Sequence, residues 1–402
     1  MDRIPDLADS AEADMTIAKV PVRQLFPAFL RLGLTAFGGP TMVAYIRDLA
    51  VRKKRWLSDE SFQDGTALCQ SIPGATAMQT TAYVGLRAGG PWGALASFAG
   101  FGLPAFLLML ILSAIYQRTH EIHAVVSLFR GLQVIVIAFM GNAVLDFGRR
   151  TVHDWRDALL TVGAALFLGF HGSPIIAIAA AAALGLLICR GSNASTAPAP
   201  GTGNKPVSRN RTAIAAIILA VAAGLSALFL LAPQLFDLST LMMKVDLFAF
   251  GGGFASVPLM MHEVVDKRQW MNASTFMDGI ALGQVTPGPI VITATFVGYQ
   301  VAGLLGAIAG TVAIFTPSLL MVLGLVPFMD RLQHSALFRR ALRGVLASFI
   351  GLLLAVTVHF GMAVQWSVPA LILVLAAFFA LRLKVDILWV VLVGAAVSVF
   401  VL

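Results

Sequence analysis

Phe37-Gly38-Gly39-Pro40 near the start of the chain returns as Phe250-Gly251-Gly252-Gly253, and Gln70-Ser71-Ile72-Pro73-Gly74 returns as Gln284-Val285-Thr286-Pro287-Gly288. The first pair is separated by 213 positions and the second by 214. Around these landmarks Arg31 lies opposite Lys244, Trp56 opposite Trp270, Asp64-Gly65 opposite Asp278-Gly279, Pro104 opposite Pro317 and Arg130-Gly131 opposite Arg343-Gly344. A one-residue insertion followed by a deletion accounts for the drift. Residues 24–190 and 234–402 therefore read as two copies of one repeat. They are joined by a Gly, Ser, Pro and Asn-rich linker at 191–211 and an unpaired apolar helix at 212–233. Residues 1–23 form a polar tail without the basic start and apolar run of a cleaved signal peptide.

The material between the landmarks is membrane-like. Of 402 residues 58% are hydrophobic and only 12% are Asp, Glu, Lys or Arg, with a mean hydropathy of +0.86. That charge is about half the share usual in soluble domains, roughly 25%. Residues 158–189, 212–236 and 344–381 contain no charged side chain at all, and each matches or exceeds the roughly 20 apolar residues that span a bilayer as a helix. The two cysteines, Cys69 and Cys189, exclude a disulfide framework and a multi-cysteine metal site. The net charge of +8 comes from basic residues in short loops, which is the positive-inside pattern and not a nucleic-acid footprint. No phosphate loop, zinc-protease motif or Cys/His cluster is present, so neither an enzyme activity nor a cofactor is expected.

Each copy divides into six apolar segments. An even repeat followed by one extra span starts the second copy on the opposite side of the membrane, which makes an inverted repeat. The fold expected is an all-α polytopic membrane protein with broken or re-entrant helices and nine to thirteen crossings. Loop charge places Arg149, Arg156, Arg209 and Arg339 on the cytoplasmic side, and Gly361 and Leu402 outside. The basic loop Arg52 to Arg55 obeys the same rule only if the first two segments are re-entrant hairpins.

The breaks carry the chemistry. Gly costs a helix about 1 kcal/mol and Pro about 3 kcal/mol, so Gly-Gly-Pro and Pro-Gly at membrane depth open the helices. The freed N–H and C=O groups survive only where protein buries them or where they line a watery cavity. Half-helix N-termini facing one cavity suit an anion. The expected substrate site comprises Arg31, Phe37, Gly38, Gly39, Gln70, Pro73 and Gly74 from the first copy. From the second come Lys244, Gly251, Gly252, Gln284, Thr286, Pro287 and Gly288. The competing readings are close packing for the glycines and, for the cations, snorkelling or, for Lys244, pairing with Asp246. Asp64 and Asp278 are expected to cap the helices that follow the basic loops or to pair with those loops. Asn142, Asp146 and His359 are weaker intramembrane candidates.

The run FLRLGLTAFGGPTMVAYIRDLAVRKKRWLSDESFQDGTALCQSIPGATAMQ and its second-copy counterpart DLFAFGGGFASVPLMMHEVVDKRQWMNASTFMDGIALGQVTPGP resemble the two signatures of the chromate ion transporter family, in its long-chain, two-domain form. The resemblance implies a bacterial inner-membrane protein that exports chromate, powered by the proton motive force, and so confers chromate resistance. Its partners would be chromate, protons and lipid, with no nucleic acid. Chromate is a tetrahedral dianion of the size and shape of sulfate, so sulfate or another oxyanion remains an alternative, as does an anion channel or sensor. Pairing of two copies into a homodimer is left open.

Overall fold

The computed structural model describes residues 19–37, 41–119, 122–188, 211–326 and 335–401. Gly38, Gly39, Arg209 and Leu402, together with nearly all of the tail and linker, lie outside the described residues. Among those described the chain is helical throughout and strand-free. Five helices are long and apolar enough to cross a membrane, at 76–119, 124–151, 211–231, 290–325 and 336–363, and three shorter apolar helices accompany them.

The first copy opens with α1 (Val22–Thr35) and, past the Gly-Gly-Pro break, α2 (Thr41–Arg47), which runs on as a π turn over Asp48–Lys53. α3 (Asp59–Ser71) follows, then the Pro-Gly break, then α4 (Thr76–Thr119). α4 is two helices folded into a hairpin at Gly90, whose φ is +74°. Thr81 C=O accepts from Ser97 Oγ across the fold at 2.8 Å, and the backbones approach so closely at Gly85 and Gly93 that a Cβ on Gly85 would collide with Gly93. Gly85 is thus a packing position. The copy closes with α5 (His123–Thr151), α6 (Trp155–Gly169) and α7 (Pro174–Ile188).

After α8 (Arg211–Leu231) the pattern repeats. α9 (Pro233–Phe248), α10 (Ser256–Met261) and α11 (Ala273–Val285) correspond to α1, α2 and α3. α12 (Thr293–Leu325) folds back at Ala302-Gly303 as α4 does at Gly90. α13 (Ala336–Ala363), α14 (Val368–Arg382) and α15 (Ile387–Val401) correspond to α5, α6 and α7. Even the caps match. Ser58 accepts from Ser61 N–H at 3.2 Å and Asn272 from Thr275 N–H at 2.8 Å. This corrects the expectation for Asp64 and Asp278, which sit inside α3 and α11. Asp278 instead accepts from Tyr116 at 2.8 Å and from Gln133 at 2.7 Å.

The broken segments do not cross. α3 and the first half of α4 run antiparallel about the Pro-Gly break, with Tyr83 Oη donating to Ser61 C=O at 3.0 Å. Val20 N–H donates to Ala88 C=O at 2.9 Å, and Arg47 is forked to Asp59 at 2.7 Å through both of its contacts. α1 therefore starts, and α2 ends, at the end of the molecule where α3 starts. Both segments are re-entrant hairpins, which puts the basic loop Arg52 to Arg55 where the charge rule wants it. Contacts from Arg343 to Asp154 and Asp157 and from Arg382 to Asp146 gather α5, α6, α13 and α14 at this same basic end. The second copy's hairpins hang from the opposite end, where Gln234 meets Val301 and Ser398 meets Leu128. The repeat is inverted. Nine legs run between the two ends among the described residues: the second halves of α4 and α12, with α5, α6, α7, α8, α13, α14 and α15.

Candidate functional site

The hairpin tips of opposite copies hold each other. Gly74 N–H donates to Ala249 C=O and Gly288 N–H donates to Ala36 C=O, both at 3.0 Å. Ala36 and Ala249 are repeat partners, as are Gly74 and Gly288, so a pseudo-two-fold axis relates the two bonds. Gly74 has φ +112° and Gly288 φ +123°, conformations that a Cβ makes costly.

A cavity of about 730 Å³ lies against this crossing. Its walls descend from Arg150, Asp146 and Asn142 of α5 at the basic end to Gly251, Gly252 and Gly253. Ala75 and Thr76, at the N-terminus of α4, also line it, as do Thr286, Gly288, Pro289 and Ile290 at the second Pro-Gly break. The first N–H groups of a helix have no intrahelical acceptor, so the start of α4 and the Gly-Gly-Gly run present donors to the floor. Gly252, with φ +89° and ψ −165°, adopts a conformation essentially reserved for glycine. A Cβ there would come within 3.2 Å of Thr76 Oγ1, so breaks from the two copies meet on this floor.

Of the fourteen residues expected from the sequence, Phe37, Gln70, Gly251, Gly252, Gln284, Thr286 and Gly288 line the cavity. Gln284 carries the clearest sign of a ligand group. Its Nε2 is buried without a hydrogen-bond partner among the described residues, an arrangement that costs free energy unless something accepts from it. Pro73, Gly74 and Pro287 belong to the crossing behind the floor and do not line it. Gly38 and Gly39 lie outside the described residues.

The two matched cations go elsewhere. Lys244 Nζ pairs with Glu263 at 2.7 Å, and not with Asp246, because Glu263 on the π turn after α10 reaches back along α9. Glu263 also takes Arg268, which bridges on to Asp237 at 2.8 Å. Arg31 is exposed on α1 and does not line the cavity. The cavity's own cations are Arg47 and Arg150, which repeat matching overlooks because their partners at an offset of 213 are Met260 and Ala363. The Arg47 guanidinium holds the Asp59 carboxyl below the usual carboxylate range, by hydrogen bonding first. Arg150 makes no hydrogen bond or ion pair with any described residue. Asp146, whose carboxylate would repel an anion, is paired with Arg382 at 2.7 Å. Arg150 is thus a positive charge at the mouth that no described residue neutralises. The residues described hold no cluster of three or more His, Cys, Asp or Glu able to bind a metal ion.

Comparison with known proteins fits this architecture. The chromate transporter family model matches twice, over residues 23–186 and 236–399. An uncharacterized transporter of Methanocaldococcus jannaschii is 44% identical over 378 residues, 94% of each chain. A chromate transport protein of Pseudomonas aeruginosa is 32% identical over 391 residues, covering 94% of this chain and 90% of the relative. Another chromate transport protein, from Cupriavidus metallidurans, is 32% identical over 331 residues, 82% of this chain and 80% of its own. No solved structure matches.

Proposed function

Because the chain belongs to the chromate transporter family, we propose that it is a secondary transporter that exports chromate through the cavity, driven by the proton motive force, from the cytoplasm of a bacterial cell. By lowering internal chromate it confers resistance. The basic end faces the cytoplasm under the positive-inside rule, and the cavity is then the inward-facing binding site. Its occupant meets Arg150 at the mouth. On the floor it exchanges water for the N–H groups of Gly251 to Gly253 and of the first turn of α4, and for the side-chain amides of Gln70 and Gln284. Four acceptor oxygens of a tetrahedral dianion can use such donors at once, and hydrogen bonds to a charged group are the strong ones.

The observation that carries the reading is the asymmetry of the cavity wall. In an inverted repeat the outward-facing state is lined by the repeat partners of the inward-facing wall. The partners of Arg47, Asn142 and Arg150 at an offset of 213 are Met260, Ala355 and Ala363. An anion is drawn into an inner mouth that carries two arginines and leaves through an outer one with neither at the matching positions, where His359 stands for Asp146, which favours export.

Chromate uptake into everted membrane vesicles tests this directly. Saturable uptake that rises when a proton motive force, interior positive in these vesicles, is imposed is the expected result. Flux that neither saturates nor responds to the gradient would make the protein a channel, and flux abolished by excess sulfate would make it a general oxyanion carrier.

A further inference from the structure

Asp246 on α9 is fully buried, at 0% exposure, and stands at the crossing of the hairpin tips. Its Oδ2 accepts from both Ser318 N–H and Ser318 Oγ–H of α12, each at 2.8 Å. Ser318 Oγ in turn accepts from Ala75 N–H at 3.1 Å. Asp246 Oδ1 has no hydrogen-bond partner among the described residues. That bare oxygen faces Gly74, close enough that a Cβ there would lie 3.2 Å away. Gln79, whose Oε1 is also buried without a partner, borders the same glycine.

Among the described residues no cation pairs with this carboxylate. α12, from which Ser318 comes, carries no Asp, Glu, Lys, Arg or His along Thr293–Leu325, and its one tyrosine is Tyr299. From the Pro-Gly break and the start of α4 the facing groups are Gly74, Ala75 and Gln79, all neutral. On α9 itself Lys244 turns to Glu263, and on the turn after α10 His262 pairs with Asp266 at 3.6 Å. An ionised carboxylate with one unsolvated oxygen and no counter-ion is among the most costly groups to bury. A proton on Oδ1 removes that cost and leaves the two bonds to Oδ2 intact.

The site is one-sided. At an offset of 213 Asp246 corresponds to Gly33 and Ser318 to Ala105, so the sister crossing has neither the acid nor the hydroxyl. It is also next to the anion path, since Ala75 and Thr76 line the cavity while Ala75 N–H holds Ser318 on the other side.

We propose that Asp246 is a proton-binding site whose occupancy is linked to that of the oxyanion. It is neutral, with the proton on Oδ1, while the dianion lies on the cavity floor, and it gives that proton to water when the contact of Gly74 with Ala249 opens. The O–H bond at Oδ1 breaks, its electron pair stays on the carboxylate and the proton leaves as hydronium, so no further reactant is needed. Linkage is reciprocal: a bound dianion raises the cost of ionising Asp246, so anion binding takes up a proton and rising pH weakens the anion. The inference rests on the transport reading above and identifies where its proton binds: proton and dianion leave together with one net negative charge, so the part of the proton motive force that drives export is the membrane potential.

Chromate binding to the purified, detergent-solubilised protein across pH is the test, with Asp246→Asn as the variant. Asparagine keeps the acceptor for Ser318 and cannot titrate. Chromate's own protonation contributes equally to both proteins, so the difference between them is read. Wild-type affinity should fall by up to about tenfold for each unit of rising pH above the carboxyl's titration, the limit for one linked proton. D246N should lose this component and keep the wild type's acid-side affinity. A slope unchanged in D246N overturns the assignment while leaving transport standing. Loss of chromate binding at every pH in folded D246N overturns it in favour of a direct anion contact. No binding by the wild type would bring down the transport reading and this inference together. If D246N does not accumulate, infrared spectroscopy of the wild type and Ser318→Ala decides. A protonated-carboxyl carbonyl band that shifts in S318A supports the proposal, and the absence of the band or a band unmoved in S318A overturns it.

Discussion

The two hairpin crossings share a backbone and differ in their side chains. Gly74 on Ala249 and Gly288 on Ala36 make the same hydrogen bond at the same length. Behind the first stand Asp246 and Ser318, and behind the second stand Gly33 and Ala105. The cavity wall diverges in the same way: Arg47, Asn142 and Arg150 line it, and the matching positions of the second copy are Met260, Ala355 and Ala363. Duplication supplied a symmetric frame able to close from either side. Substitution at a few positions then gave the two sides different electrostatics, which a frame made only of backbone bonds could not do.

Breaking the crossings should have the largest effect. Gly74→Ala and Gly288→Ala both force a Cβ into a positive-φ conformation, at a cost of about 1–3 kcal/mol each, and both should abolish chromate flux. Gly74→Ala should be the worse for melting temperature, because its Cβ collides with Ser318 and meets Gln79 Nε2 at 2.7 Å, whereas that of Gly288→Ala meets only Ala105 at 2.8 Å. Equal losses of stability would mean that the acid side is no more tightly built than its sister.

Next come the floor glycines. Gly252→Ala should stop or strongly slow flux and lower the melting temperature only by the backbone strain of its positive φ, about 1–3 kcal/mol, since only Thr76 Oγ1 lies near. Gly251→Ala should also destabilise, because its Cβ would meet the Phe349 ring at 2.8 Å. Gly344→Ala, wedged against Ala181 C=O, should lose stability first, and Gly224→Ala, in open space, should change neither. If Gly252→Ala follows Gly344→Ala, its role is packing.

A smaller effect is expected at the mouth. Arg150→Ala should raise the apparent KM several-fold, in keeping with about 1 kcal/mol for an exposed charge, with little change in kcat. Arg31→Ala and Lys244→Ala should raise KM less, and Lys244→Ala should cost stability by leaving Glu263, 4% exposed, short of one of its partners. Abolition of flux by Arg31→Ala in correctly inserted protein would show that α1 swings Arg31 into the path during the cycle.

The smallest perturbation is a label. Cysteines at Lys54 and Arg339 should react from one side of the membrane and a cysteine at Gly361 from the other, with Cys69 silent because it is buried. Labelling of Lys54→Cys from the side of Gly361→Cys would remove the re-entrant hairpin.

Duplication, inversion and the four breaks were legible in the sequence. They follow from the spacing of Gly, Pro and apolar runs, and these act locally on the backbone through dihedral freedom, missing N–H groups and the length needed to span a bilayer. What each break does was not legible. That Lys244 is spent on Glu263, that Arg150 finds no partner among the described residues at the mouth, and that Asp246 is sealed against Ser318 were decided only in the tertiary structure. Each depends on which side chains meet across segments 19 to 236 residues apart, and charge pairing and burial between such segments leave no periodicity to read. Repeat matching even pointed away from them, because it weights positions where the copies agree, and this protein placed its cavity cations and its buried acid where the copies differ.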